Sequence, residues 1–269
     1  MSAIAAPYDL NTRASEATGS GLPRLAPHIF VVPAYNEADN LPRLFADLEE
    51  RESLFPPGSR LLVVDDGSDD GTPDLVRAYS GGLPVGLVAL EQNQGPGAAF
   101  RAGFAAALEV CPEDGLVITL EADTTSDLDA LPRMIERAKA EADLVIAEWR
   151  MVNVSPKRRL LSKGAGFVVR HALGVDAKTV SSFFRVYRAS ALRTGFARYG
   201  ERFIRESGFA CKAEVLAKLA ALKLRIEEVP VELDSARRIG ESKMPVFKTI
   251  VAYWRLLARQ LVAKAPEAA

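Results

Sequence analysis

Glu121-Ala122-Asp123 places two carboxylates one residue apart at the end of an apolar run, Leu116-Val117-Ile118-Thr119-Leu120. Side chains of an extended chain alternate sides with a period of two, so Glu121 and Asp123 point the same way. Oxygen donors converging like this suit a hard cation, Mg2+ or Mn2+, which keeps several positions for water or for the phosphates of a substrate. The alternative is a solvated strand end that runs through Thr124-Thr125-Ser126-Asp127 into an acid-rich helix cap. What the rest of the chain brings to the same place weighs between them.

Three upstream units repeat one pattern. His28-Ile29-Phe30-Val31-Val32 reads as a strand, stopped by Pro33 and followed by Ala34-Tyr35-Asn36-Glu37-Ala38-Asp39-Asn40, whose polar cluster can cap a helix starting near Leu41. Leu41, Leu44, Phe45 and Leu48 then fall at helical spacing. A second strand, Arg60 to Val64, ends in Asp65-Asp66-Gly67-Ser68-Asp69-Asp70-Gly71-Thr72, with a helix from about Pro73. A third, Val85 to Leu90, leads to Asn93-Gln94-Gly95-Pro96-Gly97 and an Ala-rich helix. The two glycines resemble the start of a dinucleotide fingerprint, but Phe100 stands where its third glycine belongs. A tight loop that lets backbone approach a phosphate, or that packs the helix on the sheet, is preferred.

Downstream, Leu128, Leu131, Met134, Ile135 and Ala138 predict a helix, and Asp143 to Ala147 a fifth strand ending at Glu148-Trp149-Arg150. Ser181 to Arg188 reads as a strand, Phe209 to Ala221 as a helix, and Leu224 to Val231 as a strand near an edge. Alternating strands and helices predict an α/β fold, a mainly parallel sheet with helices on both faces. Ligands of such sheets sit beyond the carboxyl ends of the strands, where this chain collects its acids, glycines and Tyr35.

Composition narrows the classes further. In 269 residues, Lys+Arg number 34 and Asp+Glu 35, so no global field points to nucleic acid. Cys111 and Cys211 lack paired spacing and read as reduced structural thiols of a cytoplasmic protein. No apolar run is long enough to span a bilayer. Residues 1–27 read as a flexible tail, 28–235 as a catalytic domain, and 236–269 as a basic loop with an amphipathic C-terminal helix. From Arg237 to Lys264 seven basic residues face Glu241 alone. On a helix from Val246, Lys248, Arg255 and Arg259 share one face, with Phe247, Ile250, Val251, Trp254, Leu257 and Leu261 opposite. That pattern suits either an anionic membrane surface or a core-packed helix with a solvated basic face.

Taken together these motifs resemble family-2 glycosyltransferases of the GT-A fold, a Rossmann-like architecture, and within them dolichyl- or polyprenyl-phosphate mannosyltransferases. The resemblance covers roughly His28 to Leu257. It implies that Pro33, Tyr35 and Glu37, then Val64 and Asp66, bind the donor nucleotide. Glu121-Ala122-Asp123 stands for the family's Asp-x-Asp, where metal and diphosphate are held, with Thr125 as a further metal ligand. Arg150 aligns with an arginine near the diphosphate, and Arg237 and Lys243 with phosphate-reaching residues of a mobile loop. Lys157, Arg158, Arg159 and Lys163, and Arg185 beside the acceptor loop at Ser182 to Tyr187, are the candidates for the acceptor phosphate. The implied partners are a nucleotide diphosphate sugar, GDP-mannose by resemblance, a polyprenyl or dolichyl phosphate, and peripherally an anionic membrane surface. Attack in line with the leaving group would invert the anomeric centre.

Two departures bear on the chemistry. The first metal-site aspartate is Glu121 here, one methylene longer, and an acid that often precedes the acceptor loop falls at Thr179. An anionic phosphate nucleophile needs no strong base, so the second departure is tolerable. A hydroxyl acceptor would want one, with Glu206 or Glu214 as candidates. A sugar-nucleotide pyrophosphorylase would carry a glycine-rich, arginine-bearing loop where Pro33-Ala34-Tyr35 stands. The altered acid at Glu121 also leaves open a non-catalytic nucleotide-sugar-binding module.

Overall fold

The computed structural model describes residues 26–151, 174–175, 177–233, 239 and 246–264. Among them, seven strands form one sheet: β1 (His28–Ala34), β2 (Arg60–Asp65), β3 (Val85–Ala89), β4 (Leu116–Thr119), β5 (Leu144–Met151), β6 (Arg185–Arg188) and β7 (Ile226–Leu233). Their order is β3-β2-β1-β4-β6-β5-β7. The first four are mutually parallel, β6 runs antiparallel between β4 and β5, and β7 lies parallel to β5 at the edge. Pro230 sits in that edge strand opposite Glu148, a position that tolerates the loss of a ladder donor.

Helices cover both faces, as the strand alternation requires. Phe30 and Val32 of β1 join one core with Leu41, Leu44 and Leu48 of α1 (Leu41–Glu49), Val76 of α2 (Thr72–Ala78) and Met134 of α4 (Leu131–Ala140). Ile29 and Val31 join the other with Phe104 of α3 (Pro96–Val110), Leu192 of α5 (Ala189–Tyr199) and Leu216 of α6 (Cys211–Ala221). A final helix, α7 (Val246–Lys264), adds Leu256 to the second core.

Several boundaries differ from the sequence reading. Pro33 does not stop β1, which pairs with β2 through Ala34. Its missing N–H falls on the β4 side, where pairing has already ended at Val31. Only the last four residues of the stretch beginning at Ser181 are strand, because the backbone of Phe183 bonds to side chains instead of a ladder. Asn40 does not cap α1 with its side chain; its amide bonds Glu37 Oε2 at 2.8 Å and pairs with the backbone of Ile239 in both directions. The Gly95-Pro96-Gly97 turn packs against protein: a Cβ on Gly97 would lie 1.9 Å from the Glu206 carbonyl oxygen, and Gly97 N donates to Ser207 O at 2.7 Å.

Candidate active site

The acids at the strand ends divide into struts and exposed chemistry. Asp65 accepts from Ser68 N, and Asp70 accepts from Ala38 N, Thr72 N and Thr72 Oγ1. Thr72 Oγ1 in turn accepts from Glu37 N, so the turn after β1 is laced to the loop after β2. Asp66, nominated for the nucleotide, is 4% exposed and accepts from Gln94 N and Gly95 N at 2.8 Å each. Burial pushes its pKa up while those two N–H groups pull it back. Its carboxylate braces the third loop. Val64 and Ala122 are core side chains, whereas Pro33, Tyr35 and Glu37 remain partly exposed around the turn.

Glu121 and Asp123 are partly exposed and mutually repulsive. Burial and then the Asp123 charge raise the pKa of Glu121, with Ser126, Lys212 and the Phe183 N–H pulling it down. Ser126 Oγ donates to Glu121 Oε2 at 2.6 Å and Phe183 N to Oε1 at 3.1 Å. Thr125, expected as a metal ligand, donates its Oγ1 to Asp123 Oδ1 at 2.7 Å and so steadies that candidate ligand. Thr124 holds the turn at φ +56°, a costly conformation for a β-branched residue, and its buried hydroxyl has no partner. Among the described residues no group of three or more His, Cys, Asp or Glu is arranged to hold a metal. The pair fits a magnesium or manganese ion that draws its remaining ligands from phosphate and water: two neighbouring like charges gain from a cation, and a carboxylate offers more acceptor positions than the two bonds Glu121 makes.

Arg185, nominated for the acceptor phosphate, is 1% exposed. Its guanidinium donates to Lys212 O and Val180 O at 2.9 and 3.1 Å and lies 3.3 Å from Tyr187 Oη, so it braces the stretch expected to be the acceptor loop from within. The two candidate bases are likewise committed. Glu214 Oε2 accepts from Arg205 N and Glu206 N, and Lys218 Nζ lies 2.6 Å from Oε1. Glu206 is paired with Arg259 at 2.5 Å and Arg255 at 3.8 Å on α7. Arg150 stands on β5 opposite Glu232, without a described side chain. Lys157, Arg158, Arg159, Lys163, Arg237 and Lys243 lie outside the described residues. Ile239, two positions from Arg237, is described, and Asn40 ties it to the Glu37 turn.

One residue here escaped the sequence reading. Lys212 on α6 is 7% exposed, with Nζ 3.8 Å from the centre of the Phe183 ring, 5.4 Å from that of Phe209 and 6.0 Å from that of Trp149. Burial lowers its pKa to about 8 against the opposing pull of Glu121. The signal was a lone lysine among Cys211, Ala213, Val215 and Leu216, where α6 faces the core. Phe100, which broke the glycine fingerprint, stacks on Phe183 at 4.8 Å.

A family model described as Glycosyl transferase family 2 matches residues 29–196. The chain belongs to glycosyltransferase family 2. This glycosyltransferase is 32% identical over 220 residues to an undecaprenyl-phosphate mannosyltransferase of Micrococcus luteus, covering 80% of this chain and 86% of that one. It is 29% identical over 223 residues to a polyprenol monophosphomannose synthase of Mycolicibacterium smegmatis, 80% of each. Glucosyl-3-phosphoglycerate synthase from Mycobacterium tuberculosis, solved with Mn2+, UDP and glucosyl-3-phosphoglycerate, shares its GT-A fold with a TM-score of 0.61 at 18% identity, over 88% of this chain and 79% of that one.

Proposed function

We propose that this glycosyltransferase moves a hexose, mannose by its relatives, from a nucleotide diphosphate sugar to a polyprenyl phosphate, inverting the anomeric centre. The observation that carries the choice of acceptor is the commitment of Glu206 and Glu214 to structural partners, which leaves a hydroxyl nucleophile without its candidate bases. A phosphate is already anionic. Its oxygen forms the new bond to the anomeric carbon while the bond to the diphosphate breaks and the electron pair leaves with that group. The names of the mannosyl-transferring relatives support the same acceptor.

Pro33, Tyr35 and Glu37 would border the nucleotide, and Arg237 and Lys243, either side of the Ile239 that Asn40 holds, would reach the phosphates. A divalent ion bound at Glu121 and Asp123 would supply positive charge to the departing diphosphate. Thr125 and Ser126 hold the two carboxylates in place, and Glu121 links the donor side to the acceptor loop through Phe183 N. The acceptor would be reached at a membrane surface, which α7 is proposed to touch peripherally.

The test is incubation of the purified chain with a panel of radiolabelled nucleotide sugars, a short polyprenyl phosphate and Mg2+ or Mn2+. Label is expected in the lipid fraction from a mannosyl donor and is expected to vanish with chelator. Label appearing only on a hydroxyl acceptor would overturn the reading.

A further inference from the structure

Lys212 is an expensive residue for a purely structural role. An ammonium group removed from water costs several kcal/mol unless charge or hydrogen bonds replace its hydration. Here it has aromatic faces from Phe183, Phe209 and Trp149, and among the described residues no carboxylate oxygen reaches it as an ion pair. Glu121 and Asp123 attract it only at longer range. A methionine would fill an aromatic cage of this kind without the desolvation cost.

A second observation points to the same place. The indole N–H of Trp149, the ring nearest the end of β5, is buried and has no hydrogen-bond partner. Two donors, one cationic, therefore lie near one another, Lys212 Nζ being 6.0 Å from the centre of the Trp149 ring, where the stretch around Phe183, the end of β5 and the start of α6 come together. The arrangement lacks acceptors, and a phosphate group supplies them. Arg185 is 1% exposed and turns its two terminal nitrogens to Val180 O and Lys212 O within the protein, while its Nε has no partner.

We infer that Lys212 is the cation that receives the phosphate monoester of the acceptor, with the Trp149 indole N–H as its second donor. The inference rests on the phosphate-acceptor reading above. It makes the ring of Phe183 a wall of the acceptor phosphate site, and it places that phosphate beside the Glu121–Asp123 pair where the anomeric carbon must be attacked.

The experiment compares wild type, K212M and K212Q. Binding of a short polyprenyl phosphate in detergent, of glycerol phosphate in water, and of the nucleotide sugar is followed by calorimetry, together with the acceptor KM of transfer. Both variants are expected to lose at least tenfold in acceptor phosphate affinity and to raise acceptor KM by a similar factor, with nucleotide-sugar Kd within twofold of wild type. K212M removes a buried charge and is expected to melt no lower than wild type; should it fail to fold, K212Q carries the comparison. Loss in both phosphate arms assigns the site to the phosphate itself, and loss in the lipid arm alone assigns it to a headgroup seated by its prenyl chain. Unchanged phosphate affinity, or a loss confined to the nucleotide sugar, would overturn the assignment. If wild type transfers nothing to prenyl phosphate yet binds glycerol phosphate through Lys212, the lipid acceptor fails and the phosphate site stands.

Discussion

At the residue scale, Glu121 accounts for its own departure from the usual aspartate. Its carboxylate spans Ser126 Oγ and Phe183 N, and a side chain one methylene shorter cannot keep both contacts from the same backbone. E121D is therefore expected to release the Phe183 backbone and lower kcat by about tenfold, the worth of roughly one charge-assisted bond, as read by steady-state kinetics. D123A is expected to abolish turnover and Mn2+ binding without lowering the melting temperature, because a partly exposed ligand is lost and no core; retained Mn2+ affinity would contradict it. Away from the site, His28 is fully buried with neither ring nitrogen partnered, and burial, then Lys139, lowers its pKa to about 4. The fold thus favours neutral imidazole. That contribution is intact above the unfolded pKa near 6.5 and is lost as pH falls toward 4, by about 3 kcal/mol. Urea titrations of wild type and H28L should diverge by that amount between pH 7 and pH 4, with wild type losing more.

At the scale of elements, the N-terminus of α3 and the loop before α6 are fitted together at backbone distance. G97A is expected to force Glu206–Ser207 away and cost about 2–3 kcal/mol, read as a lower denaturation midpoint with unchanged slope. Glu214 holds the same loop through Arg205 N and Glu206 N. E214Q should lower the melting temperature yet leave the pH profile of kcat as in wild type, whereas the loss of a basic limb would restore Glu214 as a base. The cysteines behave as the composition suggested: both are free and buried, and burial raises Cys111 to about 11 and Cys211 to about 12.

At the scale of the whole molecule, α7 is the element proposed to meet a membrane surface. It docks through Ala252 and Leu256, and Arg255 and Arg259 reach Glu206. Val251 and Trp254, expected opposite the basic face, are exposed beside Lys248 and Arg255, with Trp254 63% exposed. Among the described residues no helix is long and apolar enough to cross a membrane. An exposed indole flanked by cations suits the headgroup layer of an anionic surface. Wild type is expected to float with anionic vesicles at low salt, W254S markedly less, and neither with neutral vesicles. Absence of flotation under all conditions would leave α7 as a packing helix.

The sequence by itself determined the sheet and its two helical layers, because alternating apolar runs and amphipathic helices admit few other arrangements, and it placed the Glu121–Asp123 pair at a strand end through the period-two geometry of extended chain. Tertiary structure decided which polar residues were left for chemistry. Asp66, Arg185, Glu206 and Glu214 match functional residue types in the sequence, but each has structural partners 5 to 53 positions away that the sequence does not display. Lys212 shows the converse: within its own helix it is one cation among alanines, and only the folding of Phe183, Trp149 and Glu121 around it turns that cation into a candidate site.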